Sequence, residues 1–108
     1  MSASSDILLQ RMRSEASQLF RASLRSVNPY EAEKRFVRME ETRLLLGPED
    51  ETPFELNLKE YNRVFLVGGG KATAPMAKAM EDILGPRIER GLINVKIGFT
   101  EKLRYTKI

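Results

Sequence analysis

The chain has 108 residues, 42% apolar and 31% charged, which is the composition of one ordinary globular domain with a single modest core. It carries no cysteine and no histidine, which excludes disulfides, zinc–thiolate centres, cysteine nucleophiles and every histidine-based triad or metal site. The net charge of +3 is mild, and lysines and arginines alternate with glutamates instead of gathering in a patch, which argues against a nucleic-acid partner.

No apolar run approaches the roughly 18 residues of a membrane helix, so no membrane partner is expected. The start of the chain is polar and acidic, without the basic-then-apolar order of a secretory signal. The lack of cysteine fits a cytoplasmic protein.

Ser4-Ser5-Asp6 supplies N-cap residues. Beyond them Leu8, Met12, Ala16, Leu19, Phe20, Ser23 and Val27 fall mostly at steps of three and four, predicting a helix over about 6–27. Asn28-Pro29 stops it, and Pro29 can open a second helix. That helix is expected to carry Ala32, Phe36, Met39 and Arg43 on one side and to end near Leu46, before Gly47-Pro48. Phe54-Glu55-Leu56-Asn57-Leu58 alternates and predicts a short edge strand, followed by a turn at 59–62. Arg63 to Val67 is continuously apolar after its first residue and predicts a buried strand.

Lys71 to Leu84 predicts a helix with Ala74, Ala77, Met80 and Leu84 near one face. Gly85-Pro86 ends it, and a short turn reaches Ile88. Gly91 to Gly98 predicts a second strand, making 63–98 a β-α-β unit with a parallel, right-handed crossover. Two parallel strands and an edge strand do not complete a sheet, since parallel sheets are normally covered on both faces. The chain therefore reads as the opening portion of a larger α/β domain.

Between the first of these strands and its helix lies Gly68-Gly69-Gly70-Lys71. A glycine turn at a helix start exposes backbone N–H groups, here those of about Gly70, Lys71, Ala72 and Thr73, and the helix dipole favours an anion there. Pro75 falls in the first turn, where its missing N–H costs little. Phosphate or carboxylate is the natural ligand, with Lys71 adding a full positive charge. The motif is not a Walker A loop, because Phe65 stands at the first glycine position and Ala72 replaces the Ser/Thr. The dinucleotide fingerprint matches Gly68 and Gly70 but fails at Thr73, and no acidic ribose ligand follows the second strand. Two readings stay open on these residues: an anion site, or a tight strand-to-helix turn with a solvated lysine.

The stretch from Val64 to Ala77 resembles the N-terminal signature of the glycerate 2-kinase family, whose C-terminal portion is called the MOFRL domain. The resemblance rests on Gly68, Gly70, Lys71, Ala72, Met76, Ala77, Glu81, Leu84 and Gly85. It extends to Gly91-Leu92-Ile93-Asn94-Val95-Lys96-Ile97-Gly98, and upstream to Phe20-Arg21-Ala22-Ser23-Leu24 with Asn28-Pro29. It implies an α/β fold: an incomplete Rossmann-like three-layer domain with two N-terminal helices followed by the β-α-β unit. Residues 1–108 would be the N-terminal part of the kinase's N-terminal domain, with the second, MOFRL, domain absent. The implied reaction moves the γ-phosphoryl of ATP to the 2-hydroxyl of D-glycerate, giving 2-phosphoglycerate, with ATP and Mg2+ held largely by residues outside this chain. Lys71 is the implied catalytic and substrate-binding residue, with Gly68, Gly69 and Gly70 shaping the backbone around the substrate. Glu81 is read as a surface or packing residue, no carboxylate stands out as a magnesium ligand, and this chain alone is expected to be inactive. A non-catalytic anion-binding module and a dinucleotide-binding protein are the alternatives, and an unfinished sheet edge would favour self-association.

Overall fold

The computed structural model describes residues 2–108. Helix α1 spans Ala3–Ser26. The Ser2 side chain accepts from the Ser5 amide at 3.2 Å, Asp6 lies in the first turn and Arg25 in the last, so cap and macrodipole agree. None of its residues is buried, and the predicted stripe through Leu8, Met12 and Leu19 faces solvent. At 1.5 Å per residue the helix is about 36 Å long. It gives the molecule a 70 Å long axis and a radius of gyration of 19.6 Å, against about 13 Å for a compact domain of this length.

Asn28 caps α2 (Pro29–Phe36) by accepting the Glu31 amide at 3.1 Å, with Pro29 at the helix start. The helix does not continue to Leu46. Residues 37–46 form a hairpin instead, β1 (Val37–Glu40) and β2 (Arg43–Leu46), turning at Glu41, which has φ 55°. The hairpin sets Val37 opposite Leu46 and Met39 opposite Leu44, gathering four apolar side chains on one sheet face. A helix would spread the three consecutive leucines around its circumference. The predicted strand at 54–58 is present as β3 (Phe54–Asn57), but it pairs antiparallel with β2 at the edge of this small sheet, separate from the parallel one.

The β-α-β unit is observed. Strand β4 (Val64–Gly69) runs parallel to β5 (Ile88–Asn94), with α3 (Thr73–Leu84) between them in sequence. The second strand begins and ends earlier than the pattern suggested. A 3-10 turn at Gly85–Arg87 delivers the chain directly into β5, and after Asn94 it bends away, with the Phe99 amide on the Lys96 carbonyl and Gly98 at φ 89°. A two-residue strand, β6 (Thr106–Lys107), completes the order β4-β5-β6, all parallel. The described residues form a mixed α/β structure with three helices and two small sheets. Strand β4 is not buried as expected: α3 covers one face, while Phe65 and Val67 on the other are 53% and 78% exposed.

Val37 and Leu44 of the hairpin pack with Leu84 and Ile88 in the main core, with Leu56, Leu66 and Met80 against them. Ala74 and Ala77 lie flat on Ile93, their small side chains letting α3 approach the sheet closely. Helix α2 lies along α3, and the Tyr30 hydroxyl donates to Asp82.

Glu81 is no surface residue. It is 6% exposed, and its carboxylate accepts the amides of Arg104 and Tyr105, both at 2.7 Å, and the Thr106 hydroxyl at 2.9 Å. A Cβ on Gly91 would sit 2.5 Å from Thr106 Oγ1, so the bare glycine makes room for the side chain that Glu81 holds. Glu81→Ala leaves these donors without their acceptor and is expected to cost about 1–3 kcal/mol in urea unfolding. Gly91→Ala should release the same strand, read as faster amide exchange at Tyr105 and Thr106.

Candidate functional site

The glycine turn stands at the C-terminal end of β4, the end of a parallel strand where α/β proteins bind ligands. Each glycine has a different physical reason. A Cβ on Gly68 would lie 2.6 Å from the Thr73 methyl, and threonine is stiff at χ1, so this contact does not relax cheaply. Gly70 has φ 121°, a conformation closed to ordinary side chains. Gly69 meets only the Asn94 carbonyl at 3.9 Å, so packing does not demand glycine there.

The exposed N–H set is smaller than the sequence suggested. The Gly70 amide donates to the Asn94 carbonyl at 3.0 Å, tying the turn to β5, and the Thr73 amide donates to the Gly70 carbonyl at 3.2 Å. The amides of Lys71 and Ala72 have no acceptor among the described residues. Lys71 lies in the turn before α3, not inside it, because the helix begins at Thr73 with Ala72 as an N-cap that supplies no side-chain bond. The Lys71 side chain is exposed and pairs with no carboxylate among the described residues. Pro75 falls in the first helical turn, as expected.

Beside the turn is a cleft of about 270 Å3 between β4 and α3. Gly68, Gly69 and Thr73 line its polar end, and Met76, Met80 and Leu66 its apolar walls. Gly70 and Lys71 stand outside it, so the structure divides the four predicted site residues into two in the cleft and two at its lip. The cleft also holds Glu33 of α2, which the sequence did not single out. Burial against apolar neighbours pushes the Glu33 carboxyl above its ordinary value. Glu33 sits more than thirty residues upstream of the turn, in a stretch whose only signal is helix-face spacing, and it meets the cleft only because α2 packs on α3. Among the described residues no three acidic side chains cluster in a way that could hold a metal ion.

The family profile described as "Domain of unknown function (DUF4147)" matches residues 15–108. The chain belongs to this family. The matched span opens inside α1 and takes in the turn, the cleft and the six described strands. Comparison with curated proteins and with solved structures returns no match. No helix among the described residues is long and apolar enough to cross a membrane.

Three alanine substitutions separate packing from backbone conformation in the turn. Gly68→Ala is expected to cost about 1–3 kcal/mol through overpacking on Thr73, and Gly70→Ala about 1–3 kcal/mol through strain. Gly69→Ala should stay within about 0.5 kcal/mol of wild type, all three read by chemical denaturation. Glu33 adds a pH dependence. Its raised pKa stabilises the fold fully only below 4.5, and that contribution is lost as pH rises through the folded value. Glu33→Gln should therefore raise the melting temperature at pH 7 and leave it unchanged at pH 4.

Proposed function

We propose that this chain is the N-terminal part of a glycerate 2-kinase, transferring the γ-phosphoryl of ATP to the 2-hydroxyl of D-glycerate. The reading is supported by the family, whose domain is found at the N-terminus of glycerate 2-kinases. The observation that carries it is Lys71, an unpaired cation presented beside two free amides at the C-terminal end of a parallel strand. Phosphoryl transfer needs little covalent help from the protein and mostly needs placed positive charge. In this reading Lys71 is catalytic: it steadies the glycerate carboxylate or the moving phosphoryl group, and the amides of Lys71 and Ala72 take its remaining oxygens.

Glu33 is the group in the cleft that suits a hydroxyl. A desolvated carboxylate accepts a hydrogen bond strongly, and a raised pKa brings it closer to the range of a useful base. Met76 and Met80 give that side of the cleft an apolar wall. A finer fold assignment belongs to the same proposal: a Rossmann-like, three-layer domain. Its support is the uncovered β4–β5 face, where Phe65, Val67 and Leu92 fit a further helical layer.

The Lys71 turn fits a phosphate or carboxylate group. Among the described residues no three acidic side chains gather into a magnesium site. In this reading the nucleotide and Mg2+ are held mainly by residues beyond this chain, and the chain alone is inactive in the cytoplasm.

The test is 2-phosphoglycerate formation from ATP and D-glycerate by the protein of the complete reading frame. Lys71→Ala should lower kcat/KM by about 10²–10³-fold while thermal stability stays within about 0.5 kcal/mol of wild type. Full activity in that variant returns Lys71 to the role of a solvated surface residue. Glycerate or phosphate binding without turnover in the wild type would favour a non-catalytic anion-binding module.

A further inference from the structure

On the opposite flank of α3 from the glycine cleft, the end of α1, the length of α2 and the first turns of α3 border a second, open cavity of about 610 Å3. That volume lies within the range of small-molecule sites. Its lining brings together Arg25 from α1, Arg35 from α2 and Lys78 from α3, and Lys71 takes no part in it. We propose that this cavity is an anion site for a phosphate-bearing ligand, distinct from the Lys71 turn and independent of the kinase reading.

Three cations carried by three separate helices line this one cavity, and like charges repel one another. Each arginine has a local reason to be there. Arg25 lies in the last turn of α1, where the dipole favours a cation. Arg35 donates from Nη2 to the Ser26 carbonyl at 2.9 Å, which fastens its guanidinium at the α1–α2 junction. Neither arginine forms an ion pair among the described residues. A guanidinium has five N–H donors, so Arg35 is held by one bond and keeps the others for a ligand.

Lys78 stands 5.9 Å from the centre of the Tyr30 ring and 3.9 Å from the Glu101 carboxylate, a loose contact for an ion pair. Two carboxylates, Glu31 and Glu101, share the lining. Glu101 is already turned toward Lys78, and Glu31 opposes any anion that enters. Cations outnumber carboxylates three to two, and two of the three cations are planar guanidinium groups. That arrangement matches the several oxygens of a tetrahedral phosphate better than the two of a carboxylate.

The test is a titration of the 15N-labelled chain with inorganic phosphate, pyrophosphate and ATP, read from amide shifts at Ser26, Arg35 and Lys78. Saturable shifts at those positions are expected. Arg25→Ala and Lys78→Ala should each weaken binding about tenfold, and Glu31→Gln should tighten it. Lys71→Ala should leave the midpoint at these amides unchanged. Arg35→Lys keeps the charge while loosening the fork and should weaken binding with the helices intact by circular dichroism. Tighter binding of pyrophosphate and ATP than of phosphate assigns a nucleotide polyphosphate; equal or tighter binding of phosphate assigns a free phosphate or a monoester. No saturation at these amides overturns the site, as does binding that survives Arg25→Ala with Lys78→Ala or disappears with Lys71→Ala.

Discussion

The Glu81 carboxylate accepts two amides and one hydroxyl from the segment that becomes β6, and much of the remaining architecture hangs on that arrangement. A two-residue strand has almost no stability of its own. It joins the sheet because a buried charge on α3 draws it in and because Gly91 leaves space for Thr106. A buried carboxylate is costly unless its lone pairs are satisfied, and here charge-assisted bonds satisfy them. The same contact ties α3 to the far side of the sheet. Since α3 begins two residues after Lys71, the placement of the turn depends on a bond network near the helix's other end.

Helix α3 also divides the molecule's chemistry. One flank, through Thr73, Met76 and Met80, faces the glycine turn and Glu33 in a largely apolar cleft. The other, through Pro75 and Lys78, faces the arginines of α1 and α2 in a larger charged cavity. Alanines at 74 and 77 press the helix onto Ile93, leaving it little freedom to shift between the two. The turn is fixed just as firmly, since Gly70 is bonded to Asn94 of the neighbouring strand.

The β4–turn–α3–β5 order was legible because each part announces itself locally: an apolar run, glycines, a helix face of small residues, then Gly-Pro. The hairpin at 37–46 was not. Ala32, Phe36 and Met39 keep helical spacing across its border, and the turn at Glu41 lacks the glycine or asparagine that usually marks a positive φ. Strand β6 has no pattern to read, because its pairing comes from Glu81 and not from its own residues. The Lys71 turn was visible in the sequence, but two of the four amides expected to be free are used within the fold. Glu33 was invisible, because nothing in an octapeptide helix tells which distant cleft it will face.

Helix α1 buries no residue, yet it sets the molecule's outline. A body of 70 × 36 × 18 Å does not rotate like a sphere. End-over-end tumbling displaces far more solvent than spinning about the long axis, so the chain's hydrodynamic drag is that of a rod carrying a knob at one end. Bonds lying along α1 relax on the slow rotation and bonds across it on the fast one. The direction of each amide in β4, β5 and β6 relative to that rod is thereby written into its relaxation rate.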